Sequence, residues 1–288
     1  AYGSAVTPPA APTRPGYVFG GWYPQVPAFM PAEDLVCVAQ WEANQHTISF
    51  MTNGGTSIDP ITDKDSTEVS APTAPTRDGY TFAGWFADEE LAQAVSWPHT
   101  IAANVTFYAK WTPNTYTVNY NGNGSDSGST LSSQHTYNVT DALAQNGFSK
   151  AGYSFAGWNT AADGSGTEYY DQQLVMNLSQ ADGSSVTLFA QWTPNNYTVA
   201  FHSMGGSDVD PITDVVGTQI SEPSQPTRTG YDFAGWYADA QFSQAVAWPY
   251  TIGSSNVVFY AKWDLVNEYT VTFDANGGEG GASVEVRH

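Results

Sequence analysis

The sequence predicts a mainly β (α+β) chain of tandem small modules, each a short mixed sheet with at most one short helix. Three observations carry this. A run of Gly, Tyr, one variable residue, Phe, a small residue, Gly and Trp recurs four times: Gly16 to Trp22, Gly79 to Trp85, Gly152 to Trp158 and Gly230 to Trp236. Apolar and polar residues alternate in the segments around these runs, the period of a strand buried on one face. Aromatic residues make up 14% of the chain against 12% charged, with 27 Gly and 17 Pro, which suits short strands and many turns around aromatic cores.

Residues 1–41 read as a partial repeat lacking its first strand: the first run, then VCVAQW ending at Trp41. Residues 42–112 form a repeat that opens on HTISFMTNGG and closes on TFYAKW at Trp111. Residues 113–193 open on YTVNYNGNG and close on TLFAQW at Trp192; residues 194–264 open on YTVAFHSMGG and close on VFYAKW at Trp263. The repeats at 42–112 and 194–264 share DPITD, PTR, QAV and WPHT or WPYT, whereas the one between them carries DGSGTEYYD instead and is a second subtype. Residues 265–288 open on YTVTFDANGG and read as the first strand of a further repeat or as a donor strand. Linkers such as Thr112-Pro113-Asn114 and Thr193-Pro194-Asn195 are short, and proline limits their bending.

The copies show which positions face inward. In the opening strand, His46, Ile48 and Phe50 align with Tyr116, Val118 and Tyr120, with Tyr197, Val199 and Phe201, and with Tyr269, Val271 and Phe273. In the closing strand Phe107, Ala109 and Trp111 share the expected core face, and the alanine recurs in all four copies. Cys37 aligns with Phe107 and is expected to be a buried, inert thiol. In the first run, Tyr80 and Phe82 are expected inward and Thr81 outward; the same reading places Trp85, then Tyr153, Phe155, Trp158 and Trp192, and Tyr231, Phe233, Trp236 and Trp263, in the structural core motif. The glycine ahead of Trp85 is read as permitting close approach of a backbone or ring. Asp141 to Gly147 and Asp88 to Val95 are the two candidates for a short helix, from their capping residues and helix formers.

Charge and composition exclude several functions. A net charge of −20 repels nucleic acid and anionic lipid. No apolar stretch approaches the ~18–20 residues of a membrane span, and residues 1–30 lack a basic start followed by an apolar run, so a signal or anchor is expected only outside this segment. His46, His99, His135, His202 and His288 are scattered, with no nucleophile and base in one constellation, and no catalysis is expected. Carboxylates in the DPITD loops (Asp59, Asp63, Asp208, Asp210, Asp214) suit turns and solubility; structural calcium is the alternative, without EF-hand spacing. Lys110 and Lys262, replaced by Gln40 and Gln191 in the other copies, sit on the outer face rather than in a buried cross-link. Arg14, Arg77, Lys150 and Arg228 keep a cation at one position, for a local ion pair or carbonyl contact or, alternatively, a ligand. Trp97 and Trp248 either fill the core, the expectation for so large an apolar ring, or stack on a sugar or protein partner.

Together YTVTFDANGG, PTR, GYTFAGW and YAKW resemble the Listeria–Bacteroides repeat, the family of the internalin B B repeat, over essentially the whole chain. The resemblance implies compact β-grasp-like modules arranged as an elongated rod in a secreted or cell-wall-attached bacterial surface protein. It implies no catalytic residues, and a role as stalk, spacer and adhesion module. Its partners would be neighbouring modules and a host glycan or protein. The complementary ends allow a second assembly: Tyr269, Val271 and Phe273 of one chain would add a strand to the partial repeat of the next, giving a head-to-tail filament.

Overall fold

The computed structural model describes residues 2–266, 276, 278 and 279, and the backbone alone of 269–272 and 283–286. The chain divides into two compact units, one of residues 1–117, 134–141 and 174–186, the other of 118–133, 142–173 and 187–288. The first contains the whole repeat from 42 to 112, the second the whole repeat from 194 to 264.

In the first unit the complete repeat is a four-stranded mixed sheet. Its order is second strand (Ile61–Lys64), opening strand (Gln45–Met51), closing strand (Val105–Pro113) and motif strand (Tyr80–Phe86). The opening and closing strands pair in parallel, Ile48 beside Val105 and Phe50 beside Phe107; the other pairs are antiparallel. Parallel neighbours need a long crossover, and residues 52–104 supply it, including a two-stranded ladder, Glu68–Val69 with His99–Thr100. One face of the sheet meets this crossover around Ile48, Val69, Trp85, Ile101, Phe107 and Ala109.

The second unit repeats the plan with Ile212–Val215, Asn196–His202, Val257–Leu265 and Tyr231–Tyr237, in the same order. Its core is Val199, Ile220, Trp236, Ile252, Phe259 and Ala261, equivalent position for position. In the repeat at 113–193 the motif strand Tyr153–Asn159 pairs with the closing strand and also gains an edge strand, Glu168–Tyr169, from the DGSGTEYYD segment.

Among the described residues there is no helix, and so none long and apolar enough to cross a membrane. Both helix candidates are therefore corrected. The Asp88 carboxylate accepts the N–H groups of Ala92 and Gln93 at 2.9 and 2.7 Å while Leu91 turns to φ 56°, closing a loop where a cap would have launched a helix. In the other candidate, Asp141–Ala142 is strand, Leu143 donates to the Gln173 carbonyl, Ala144 to the Tyr120 hydroxyl and Asn146 to Asp171, so its donors are committed outside the segment. What would be the helix of a β-grasp is irregular chain with a short ladder.

Among its described residues the first repeat has two strands, Tyr17–Tyr23 and Val38–Ala43. No side chain between residues 2 and 47 is fully buried. The opening strand occupies the middle of a complete sheet, and without it Cys37 is half-exposed, which corrects the expectation of a buried thiol.

Candidate functional site

The four motif strands share a bulge. Phe82 lies opposite Trp111 but Gly84 lies opposite Lys110, so Ala83 is an extra residue; the same shift falls between Phe19 and Gly21, Phe155 and Gly157, and Phe233 and Trp236. Strict alternation would put Trp85 on the face opposite Phe82. The extra residue restores it, and the two rings meet edge to face at 5.3 Å. Gly21, Gly84, Gly157 and Gly235 take φ of 111°, 122°, 146° and 112° at this point. The glycine thus serves the backbone conformation: a Cβ at Gly21 or Gly235 would meet nothing among the described residues within 4 Å, and only at Gly157 does a carbonyl, that of Tyr169, crowd it. Behind the bulge Trp85, Trp158 and Trp236 are 3%, 1% and 2% exposed and lie opposite Ala109, Ala190 and Ala261, whose small side chains leave room for the indoles.

The closing tryptophans do something else. Trp111, Trp192 and Trp263 are half-buried, and each indole N–H donates to the loop after the opening strand, to Thr52, Gly122 and Ser203 carbonyls at 2.9, 3.0 and 2.8 Å. Gly55 and Gly206 lie flat under the first and last of these rings, which is what the second glycine of NGG and MGG is for.

The recurring cation and the motif tyrosine form one unit. Arg14, Arg77 and Arg228 lie over Tyr17, Tyr80 and Tyr231 at 3.9, 4.0 and 3.9 Å from the ring centroids, and Lys150 lies over Tyr153 at 4.5 Å. Arg77 and Arg228 also donate to the Asn53 and Met204 carbonyls. The alternation had implied core tyrosines, but Tyr80, Tyr153 and Tyr231 are only half-buried under a cation and Tyr17 is exposed, while Phe82 and Phe233 pack on the cores. Trp97 and Trp248 are half-buried, edge to face with Phe107 and Phe259 at 5.9 and 6.1 Å. Lys110 and Lys262 lie over Phe86 and Tyr237 on the outer face. Asp63 and Asp214 accept the next residue's N–H, and the described residues hold no group of three or more His, Cys, Asp or Glu placed for a metal ion. Tyr269–Thr272 pairs antiparallel with Ser283–Val286 of the same chain; Phe273 lies outside the described residues.

The joints between repeats are held by more than the linker prolines. The first glycine of each motif, at φ 75–81°, presents its carbonyl to the linker: Gly16, Gly79 and Gly152 accept from the N–H of Asn44, Asn114 and Asn195 at 2.9, 2.9 and 2.8 Å. The carbonyl of the same asparagine accepts from the next repeat, from Asp65, Tyr137 and Val216 at 2.8, 2.8 and 3.0 Å. Those three residues cover the glycine, where an added Cβ would strike each of them. The asparagine side chain ties back as well, Asn114 Oδ1 accepting from Thr81 and Asn195 Oδ1 from Ser154, both at 2.7 Å. Each joint lies wholly inside one compact unit. The signal was present as an Asn three residues after each of three closing tryptophans.

The model of the Listeria–Bacteroides repeat domain matches residues 1–26, 46–110, 116–191 and 197–262. This chain belongs to the Listeria–Bacteroides repeat family. It is 34% identical over 252 residues to a protein of Evansella cellulosilytica named "Putative membrane protein", covering 86% of this chain and 36% of that one. A "Putative Gly-rich membrane protein" of the same organism is 32% identical over 277 residues, 92% of this chain and 31% of the relative. Internalin H of Listeria monocytogenes is 35% identical over 119 residues, 37% and 21% of the two chains. The repeat array thus spans about a third of the two Evansella proteins.

Proposed function

We propose that this repeat array is a non-catalytic spacer of an extracellular, cell-surface protein, holding other parts of that protein at a set distance from the envelope. The observation that carries the reading is the joint: three successive linkers use the same pair of backbone hydrogen bonds around a covered glycine. A chain whose repeats only folded side by side would need no common lock. A spacer needs one, because each flexible linker would otherwise add conformational freedom that shortens its reach. The relatives named as membrane proteins and as an internalin support a surface setting.

The test is a set of distances. Pro15, Asp78, Ala151 and Thr229 are exposed and equivalent in the four repeats. Replaced in pairs by cysteine in a Cys37→Ser chain and spin-labelled, they should give narrow distance distributions between neighbours. The mean should grow stepwise with the number of repeats between labels. Broad distributions, or a separation between Pro15 and Ala151 no longer than that between Pro15 and Asp78, would defeat the spacer reading.

A further inference from the structure

The repeat at 113–193 differs from its neighbours at the end of the motif strand, and that place is hollow. A cavity of about 320 Å³ lies beside the motif strand, lined by Ala156, Gly157, Trp158, Glu168, Tyr169, Tyr170 and Gln191. Its far wall is the added edge strand, held by the pairing of Trp158 with Tyr169 and Asn159 with Glu168.

Comparison within the chain shows how it is made. In the other complete repeats a lysine on the closing strand, Lys110 or Lys262, lies over the aromatic residue that ends the motif, Phe86 or Tyr237. Here the lysine is Gln191 and the aromatic residue is Asn159. Asn159 is fully buried and organises the DGSG turn: its amide donates to the Gly164 and Gly166 carbonyls and its oxygen accepts from Ala161 and Gly166. That turn delivers Glu168, Tyr169 and Tyr170 to the cavity wall. Tyr170 is 79% exposed, so its ring is open to solvent at the cavity wall.

We infer that this cavity is a binding site for a neutral pyranose sugar. The volume falls in the range of small-ligand sites. The exposed Tyr170 ring offers a flat apolar face to the C–H side of a sugar ring. The Gln191 amide nitrogen already donates to the Ala161 and Phe189 carbonyls at 3.4 and 3.3 Å, which leaves its oxygen, with the Glu168 carboxylate, to accept from sugar hydroxyls. No cation lines the cavity, one carboxylate does, and the chain carries −20, so anionic sugars are disfavoured.

Saturation-transfer NMR on the whole 288-residue chain tests it, with methyl glucoside, galactoside and mannoside as neutral probes and glucuronate as the anionic one. At least one neutral glycoside should receive saturation, and glucuronate none. Tyr170→Ala should cut the effect at least about fivefold, the loss of one stacking contact, while Tyr170→Phe retains it. Gln191→Lys, which restores the residue of the sister repeats, should also abolish it. Tyr23→Ala, another exposed tyrosine, should change nothing. Absence of transfer to every neutral probe, transfer that survives Tyr170→Ala, or equal transfer to glucuronate would overturn the assignment. The spacer reading stands apart, since its test reads distances and no ligand.

Discussion

Ala190 faces Trp158 across two paired strands, and both are sealed from solvent. The sequence shows that this alanine recurs, but its reason is a volume, which no alternation pattern encodes: the indole occupies the space a larger side chain would need. Ala190→Val should therefore cost about 1–3 kcal/mol, the usual penalty for overpacking, read as a shift of the denaturation midpoint at unchanged slope. His135 is the other residue whose surroundings decide its behaviour. It is 2% exposed and stacked on Tyr116, and burial lowers its pKa below the usual histidine value, with Asp141 opposing in part. Well above pH 6.5 the ring is neutral in both the folded and the unfolded chain and adds no pH dependence. As pH falls below that, the unfolded chain takes up a proton that the folded one resists, and stability drops by up to about 1.4 kcal/mol per pH unit until the lowered folded value is passed. His135→Phe keeps the stacking and removes the proton. Its stability should be the less pH-sensitive of the two between pH 6.5 and 5, and parallel profiles would refute the assignment.

At the scale of the element, the motif strand explains both what the sequence disclosed and what it hid. The recurring Phe-x-Gly-Trp spacing marked a strand and its large residues. It could not show that Phe and Trp, an odd number of residues apart, share a face, because the bulge that reunites them exists only in the pairing with the closing strand. The tyrosine was misplaced for the same reason: its partner, a cation three residues earlier, reaches it across a turn rather than along the strand. The helix candidates failed because side-chain and strand partners elsewhere outcompeted weak local propensity. Strand order, by contrast, was out of reach, since nothing local says that the first and last strands of a repeat lie side by side. Gly235→Ala isolates the bulge: an added Cβ meets no described residue within 4 Å, so only the φ of 112° is penalised. A loss of about 1–3 kcal/mol from the repeat at 194–264 is expected. Thermal unfolding that is unchanged would show that the bulge tolerates ordinary residues.

Across the whole molecule, the joints decide whether the repeats act as independent beads or as a coupled array. Each joint commits two backbone hydrogen bonds and one covered glycine, and each carries a residue of the next repeat, Asp65, Tyr137 or Val216; neither Asp65 nor Val216 belongs to its own repeat's core. Coupling of that kind gives repeat arrays a nearest-neighbour term in their stability. Gly152→Ala challenges it directly. At φ 80° any side chain costs about 1–2 kcal/mol, and the new Cβ would also sit 2.7 Å from Val216. Gly183→Ala is the matched control, with φ 67° and nothing described within 4 Å, so it bears the conformational cost alone. Hydrogen exchange at the Val216 amide, which donates to Asn195, separates the two. Exchange should accelerate by about five- to tenfold in Gly152→Ala, the effect of losing a hydrogen bond worth about 1–1.5 kcal/mol, and stay near its native rate in Gly183→Ala. If both variants slow or speed that amide alike, the linker is merely a tether, and the reach of the array would have to come from the repeats alone.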